Sequence, residues 1–310
     1  MLCGHYTPEV TDHLSHTPVL LETALSVLHP EAGDSVLDVT LGLGGHAEAF
    51  AKVVGPDGSL IGLDADPRNL ASAQNRLLPF HTVTCVHANF HDLAALALPH
   101  FDIIFADLGL SSPHLDDPKR GFSFRSDAPL DLRFDPSAGL SAARWLQEVD
   151  AEELTRVLRE YGEVPHPHQL AILLKDQLPQ TTFELVRAVE QILHWRAQSF
   201  LPQVFQALRI AVNDELSALD TLLDVGPSLL NEDGRMGVIS YHSLEDRRVK
   251  QVFRMITTAP KNLENGQDLY PASYSLLTRK AILPTEDEIH RNPRARSAKF
   301  RAIRRVKLQS

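Results

Sequence analysis

The run Asp38-Val-Thr-Leu-Gly-Leu-Gly-Gly-His-Ala47 constrains the fold more than any other stretch of the chain. It closes an apolar run at 35–40 (SVLDVT) and opens a helical pattern at 47–54. Glycines at such a junction let the backbone turn tightly and approach a ligand without a Cβ in the way. The same rhythm repeats: apolar runs at 59–64 (SLIGLD), 82–86 (TVTCV) and 101–107 (FDIIFAD) alternate with helical patterns such as 67–77. Strands alternating with helices predict an α/β fold, a parallel sheet covered on both faces.

After Asp107 the rhythm stops. Residues 112–202 read as a loop followed by helices at 141–146, 151–161, 169–176 and 182–195, with no apolar strand run. This predicts an all-helical insertion. An amphipathic helix over 203–223 follows, with Val204, Leu208, Val212, Leu216, Leu219 and Leu223 at spacings of three and four. Strand character resumes at 235–240 (RMGVIS), and the stretches 275–283 and 297–306 are candidates for a closing hairpin, making seven strands in all. The expected organisation is a core in two parts, 1–111 and 203–310, interrupted by the insertion 112–202.

A hydrophobic fraction of 43% and a charged fraction of 23% are those of a soluble globular protein. No apolar stretch approaches the ~20 residues needed to span a bilayer, so no membrane partner is expected. Residues 1–15 carry Glu9 and Asp12 and no Lys or Arg, which is wrong for a secretory or mitochondrial leader and implies a cytoplasmic protein. Cys3 and Cys85 are too few for a disulfide framework or a four-cysteine zinc site, and Cys85 reads as strand core. Of the fifteen scattered histidines only His166 and His168 approach a ligand pair, in a Pro-rich loop, and no metal is expected. A net charge of −10 argues against an indiscriminate polyanion binder. Yet from Arg291 onward there are eight Lys or Arg residues and no acid, a solvated tail or a stripe for a specific polyanion.

Gly42, Gly44 and Ala47 fit the G-x-G-x-x-G/A pattern, and Asp64 follows Gly42 by 22 residues, where a carboxylate accepts hydrogen bonds from ribose hydroxyls. A nicotinamide dinucleotide meets those requirements as well. Two features favour S-adenosyl-L-methionine. Asp38 can pair with a ligand carrying an ammonium and a sulfonium, whereas it would repel a pyrophosphate. The fourth strand ends in Asp107-Leu-Gly-Leu-Ser-Ser-Pro113, and amino-methyltransferases place an acid or amide followed by a tight loop at that point. Taken singly, each acid reads equally well as a helix cap or a surface charge.

These residues fall within a longer series of blocks through which the sequence resembles the RsmH (MraW) family of 16S rRNA cytosine-N4 methyltransferases, from His16 to Arg305. The blocks are His16-Thr-Pro-Val-Leu-Leu, Thr40-Leu-Gly-Leu-Gly-Gly-His46, Asp64-Ala-Asp-Pro67, the Asp107–Pro113 loop, and Arg120-Gly-Phe-Ser-Phe-Arg-Ser-Asp-Ala-Pro-Leu-Asp-Leu-Arg133. Phe205-Gln-Ala-Leu-Arg-Ile-Ala-Val-Asn213, Val238-Ile-Ser-Tyr-His-Ser-Leu-Glu-Asp-Arg247 and Asn292-Pro-Arg-Ala-Arg-Ser-Ala298 follow. The resemblance implies a Rossmann-like class I methyltransferase core, an inserted substrate domain, and methylation of a decoding-centre cytidine in the small ribosomal subunit. It implies cofactor contacts at Gly44, Gly45, His46, Asp64, Phe90 and Asp107, to which the glycine pattern adds Gly42. His114 stands at a further contact position where the family usually has Gln. The segments 161–168 and 200–204 also depart from the family pattern.

Cytosine N4 is a poor nucleophile, so an enzyme must align it and favour loss of its proton. Asp107 is the candidate acceptor, with cofactor binding as the equally open role. Tyr241 and His242, ending the strand that neighbours the fourth, are expected beside Asp107, and His242 is a second catalytic candidate. Ser243 and Asp246 read as a capping box. Phe122 and Phe124 suit either base stacking or burial. Gln206, Arg209 and Asn213 form a polar helical stripe, either solvated or gripping RNA. Arg125, Arg294 and Arg296 complete the RNA candidates. Nothing resembles the Pro-Cys loop that attack by a ring carbon requires. A DNA amino-methyltransferase lacks support because no Pro-Pro-aromatic sequence follows Asp107. A non-catalytic ribosome-assembly factor would have no need of the glycines, Asp64 and Asp107. The oligomeric state, monomer or homodimer, is left open.

Overall fold

The computed structural model describes residues 18–262 and 267–307. Cys3, His16 and the whole of 1–15 lie outside the described residues. The elements run α1 (Leu21–Leu28), β1 (Ser35–Asp38), α2 (Gly45–Val54), β2 (Ser59–Asp64), α3 (Pro67–Leu77), β3 (Val83–His87) and β4 (Phe101–Asp107). The insertion contributes α4 (Ser112–Asp116), α5 (Ala142–Glu148), α6 (Ala151–Glu160), α7 (Pro167–Gln177), α8 (Thr182–Leu193) and α9 (Ala197–Asn213). The chain returns through α10 (Glu215–Val225), β5 (Leu230–Ser240), α11 (Ser243–Ile256), β6 (Tyr274–Leu276), α12 (Glu286–Arg291) and β7 (Lys299–Arg305).

Among the described residues seven strands form one sheet in the order β3-β2-β1-β4-β5-β7-β6. The first five are parallel, and β7 pairs antiparallel to both β5 and β6. This is the Rossmann-like sheet expected from the sequence, with the predicted hairpin closing its edge. The central strands are apolar on both faces because helices cover both. Phe50, Val54 and Phe300 pack on one side, Leu219, Leu222 and Phe253 on the other. Strand order reverses between β1 and β4, so a crevice opens at the carboxyl ends of β1, β2 and β4, the general place for ligands in such sheets. Among the described residues no helix is long and apolar enough to cross a membrane.

Three local expectations are corrected. The single helix predicted over 203–223 is two helices broken at Asp214, whose φ of 49° is left-handed. The first of them begins at Ala197 and carries Pro202 inside it. A proline there removes one backbone hydrogen bond, but Ala197, Leu201, Val204, Phe205 and Leu208 bury their face in the insertion core. That packing carries the helix through the proline. Because α9 belongs to the insertion core and Leu219, Leu222 and Leu223 of α10 to the sheet core, we place the end of the insertion at Asp214 rather than at 202. Finally, Cys85 is only half-buried, because β3 is an edge strand.

Candidate active site

The crevice starts at the end of β1. Asp38 is buried, and its Oδ1 accepts the amide of Thr40 at 3.0 Å. Its Oδ2 is also buried and has no hydrogen-bond partner among the described residues. Burial pushes the Asp38 carboxyl up to about 7, against the pull of the Thr40 hydrogen bonds and with help from the charge of Asp64. The turn that follows uses φ values of +54° at Gly42 and +77° at Gly44, a region glycine enters without strain. Gly44 is the N-cap of α2. A Cβ on Gly45 would stand 2.6 Å from Pro18 Cγ, so α2 and the chain entering α1 meet there at backbone distance.

At the end of β2, Asp64 fastens the glycine turn. Its Oδ2 accepts from the Gly42 amide and its Oδ1 from the Asp66 amide, both at 2.7 Å. Burial raises its carboxyl to about 6. Phe90 opens a short 3-10 turn (Phe90–Ala95) beyond β3 and packs half-buried against the sheet core. The expected cofactor residues Gly42, Gly44, Gly45, Asp64 and Phe90 therefore all follow the ends of β1, β2 and β3.

Asp107 ends β4. Its amide donates to Thr40 Oγ1 at 2.6 Å, which ties it to the Asp38 turn. The Tyr241 hydroxyl donates to its Oδ1 at 2.8 Å. His46 Nδ1 faces its Oδ2 at 3.6 Å. The His46 Nε2 lies 3.0 Å from the Val19 carbonyl, an acceptor, so Nε2 carries the hydrogen and Nδ1 presents a lone pair. Burial lowers His46 to about 4, which keeps the ring neutral. Although 23% of the Asp107 side chain is open to solvent, burial pushes its carboxyl up to about 7. Tyr241 works against that rise, and the charges of Asp38 and Glu245 add to it. Asp107 is thus a carboxyl poised between its two forms at neutral pH, next to a neutral imidazole.

His242 is used differently from the sequence expectation. It is itself the N-cap of α11, and the reciprocal partner is Glu245, whose Oε2 accepts the amides of Tyr241 at 2.8 Å and His242 at 3.2 Å. Ser243 and Asp246 do not form the predicted box, because Asp246 pairs with Arg301 at 2.7 Å and Lys299 at 3.5 Å. His242 Nε2 lies 3.0 Å from Glu245 Oε1, off the line of a hydrogen bond. Burial works to raise Glu245, but His242, the Tyr241 amide and Arg209 outweigh it and hold the carboxyl low. Glu215, His242 and Glu245 bring ligand atoms within 4.8 Å of one another. Arg209 already grips both oxygens of Glu215, at 2.7 and 2.8 Å, so the group reads as a buried ion network.

The polar stripe of α9 is consumed in the same way. Besides Arg209, Gln206 donates to the Tyr161 carbonyl at 3.2 Å. Asn213 spans the loop before α5, donating to the Leu132 carbonyl and accepting from the Phe134 amide, both at 2.7 Å. Gln206 and Asn213 thus tie parts of the insertion to one another, and Arg209 ties α9 to α10. Of the two readings left open for the phenylalanines, packing is the one seen, with Phe122 buried and Phe124 half-buried. Phe122 is buried with His114 and Phe134 at ring distances of 5.2 and 6.0 Å, and Phe124 packs on Phe205 at 5.6 Å.

His114 is corrected too. It is buried, its Nδ1 accepts from the Ser111 amide at 3.2 Å, and its Nε2 meets Asp66 Oδ2 at 3.0 Å. Both ring nitrogens are occupied by protein, which makes His114 a strut of the loop. The same Asp66 oxygen accepts from Arg120 Nη1 at 2.8 Å, and Arg120 Nη2 donates to the carbonyls of Arg133 and Phe134. Burial alone would raise Asp66, yet His114 and Arg120 hold it well below the usual carboxylate range. Thr40, Asp66 and Arg120 escaped the sequence reading as site residues. For Asp66 a signal existed: Asp before Pro at a helix start is an N-cap, and its Oδ1 accepts the Arg68 amide.

The basic C-terminal stretch is mostly engaged by the protein. Lys299 and Arg301 pair with Asp246, Arg304 approaches Asp233 at 3.8 Å, and Arg294 reaches Asp116 at 2.9 Å. Arg125 and Arg296 are exposed.

The MraW methylase family model matches residues 13–306. The ribosomal RNA small subunit methyltransferase H of Syntrophotalea carbinolica is 43% identical over 307 residues, covering 94% of this chain and 98% of the relative. Its namesake from Dehalococcoides mccartyi is 41% identical over 303 residues, covering 94% and 86%. That from Myxococcus xanthus is 40% identical over 301 residues, covering 94% and 98%. With the strand order, the glycine turn and the carboxylates at the ends of β1, β2 and β4 in place, the chain belongs to the MraW methylase family of S-adenosyl-L-methionine-dependent methyltransferases.

Proposed function

We propose that this enzyme transfers a methyl group to the N4 amine of a cytidine in the decoding centre of 16S rRNA, with the small ribosomal subunit as its partner. The observation that carries the reading is Asp107, a carboxyl raised to about 7 at the mouth of the crevice. It is anchored on one oxygen by Tyr241 and open on the other side toward His46. The names of the relatives support the RNA class, since they are small subunit methyltransferases.

The residues fit the cofactor. Asp38 Oδ2 is a buried acceptor with no partner among the described residues, and an ammonium is a donor that suits such an oxygen. Gly42 leaves its Cβ position open for close approach, whereas Gly44 and Gly45 make room for Leu77 and Pro18 and so shape the turn, and Asp64 would hold the ribose. Phe90 lies by the neighbouring strand end. S-adenosyl-L-methionine bound there supplies an electrophilic methyl group. The protein orients the amine against it, and alignment of this kind contributes up to ~7–11 kcal/mol in favourable systems. Asp107 takes the amine proton as the nitrogen loses its conjugation with the ring. Neutral His46 adds no positive charge beside a cationic donor. Arg125 and Arg296 are the exposed cations we assign to phosphate contact; Arg294, also exposed, pairs with Asp116 at the surface, and Phe122, Phe124, Arg209 and Asn213 pack within the protein.

The test is a tritiated-methyl transfer assay on small ribosomal subunits, with the modified nucleoside identified by mass spectrometry. N4-methylcytidine is the expected product. Label on a ring carbon, on another base, or binding of subunits without transfer would each overturn the reading.

A further inference from the structure

Tyr241 follows the last residue of β5, across from Asp107 at the end of β4, and three contacts fix it. Its amide donates to Glu245 Oε2 at 2.8 Å, which holds the backbone where β5 gives way to α11. Its ring lies against Gly109, where a Cβ would stand 3.1 Å from Cδ2 and 3.4 Å from Cε2. Gly109 has a φ of +129°, so glycine is needed there both for conformation and for the room the ring takes. Its hydroxyl then reaches Asp107 Oδ1 at 2.8 Å. A ring seated on one loop and a hydroxyl aimed at one oxygen make a directed donor.

We propose that Tyr241 is a positioning residue of the methyl-transfer step: its hydroxyl engages Oδ1 of Asp107 and reserves Oδ2, the oxygen facing His46, for the proton that leaves the substrate amine. The inference rests on the proposed N4 chemistry and extends it. The methyl replaces one amine hydrogen, and that hydrogen departs as a proton to Asp107 Oδ2. There it faces the lone pair of His46 Nδ1, before release to solvent as the product leaves. Tyr241 keeps its own proton throughout. Burial and the neighbouring charge of Asp107 raise its hydroxyl well above the ordinary tyrosine value, so it acts only as a donor.

The groups facing Asp107 come from each element around it. They are Asp38 from β1, His46 from α2, Tyr241 after β5 and Glu245 from α11. Asp38 and Glu245 disfavour the carboxylate and Tyr241 favours it. Removing the hydroxyl therefore moves Asp107 in one direction only, toward the protonated form that cannot accept the amine proton.

The experiment is Tyr241→Phe, which keeps the ring on Gly109, with kcat on small ribosomal subunits measured from pH 5.5 to 9.5. One hydrogen bond to a carboxylate corresponds to about one pH unit. The acidic limb of the profile should move up by about that much. The rate near pH 6 should fall about tenfold, recovering close to wild type above pH 9, while cofactor affinity holds and the melting temperature is unchanged at pH 6, where Asp107 is mostly protonated in both proteins. An acidic limb that stays in place overturns the proposal. So does a loss by one factor at every pH, the signature of a merely structural role. An infrared titration of the Asp107 carboxyl in both proteins, by difference against Asp107→Asn, reads the same shift without turnover. If the wild-type enzyme does not methylate the amine, the functional reading fails. If it does and the limb of Tyr241→Phe is unmoved, only the assignment of Tyr241 fails.

Discussion

Replacing Asp38 by Asn should move stability and cofactor affinity in opposite directions. Asp38 is fully enclosed, and burial raises its carboxyl from 3.8 to about 7. An acid raised in this way stabilises the fold fully below the unfolded value near pH 4. It loses that contribution as the pH climbs through about 7, because the unfolded chain ionises freely and the folded chain does not. Three pH units at 1.36 kcal/mol each give roughly 4 kcal/mol of strain at pH 8, and about 1 kcal/mol at pH 4.5. Asn removes the charge and keeps the acceptor for Thr40, but it buries an amide donor where Oδ2 has no partner among the described residues, at a cost of ~1–3 kcal/mol. The variant should therefore gain ~1–3 kcal/mol over wild type at pH 8 and lose or break even at pH 4.5. Urea denaturation at the two pH values measures this, and the difference of differences cancels the titration of groups common to both proteins. Calorimetric titration with S-adenosyl-L-methionine should show affinity falling about ten- to a hundredfold, since a charge-assisted contact contributes ~1.5–3 kcal/mol. A stability difference that does not change with pH would refute the argument that Asp38 is held as a strained carboxylate. Undiminished affinity would refute its part in binding the ammonium.

Other variants probe the remaining links. Asp107→Asn should cut methyl transfer by at least ~100-fold while the protein stays folded, and full activity in a transfer assay would remove Asp107 from the mechanism. Arg120→Met should cost ~3–5 kcal/mol by stranding Asp66 in a buried ion pair. That loss should shrink in acid, where His114, released from the opposing charge of Arg120, can take a proton. Trp145 and Trp195 both lie in the insertion, so fluorescence-detected urea melts follow it directly, and an unchanged midpoint would contradict the pairing. Arg296→Ala should lower the salt slope of RNA binding by about one. An unchanged slope would mean that Arg296 touches no phosphate.

What was legible in the sequence follows from how far each signal travels along the chain. The glycine turn, Asp64 and Asp107 were readable because a strand end, a turn and a helix start are local, and all of their constraints lie within a few residues. Tyr241 was placeable beside Asp107 because strand order decides which loops meet. Residues whose partners are remote in sequence could not be decided from it: the α9 stripe and the two phenylalanines, left between two readings, make their contacts within the protein. Arg209 is spent on Glu215, Asn213 on the 132–134 loop, and Phe122 on His114 and Phe134. A periodic polar stripe looks identical whether it faces solvent or a second layer of protein, and only the folded insertion decides. His114 is the clearest case. Set beside the glutamine usual at that position, it reads as an altered ligand contact. Lodged between Ser111 and Asp66, it belongs to a buried connection running from the Asp64 turn through Asp66 to Arg120 and the 132–134 loop. The insertion and the cofactor crevice therefore share one carboxylate, Asp66. Its hydrogen bonds link the two, beside the pairing of Arg68 with Asp117, which is why Arg120 belongs among the variants to be made.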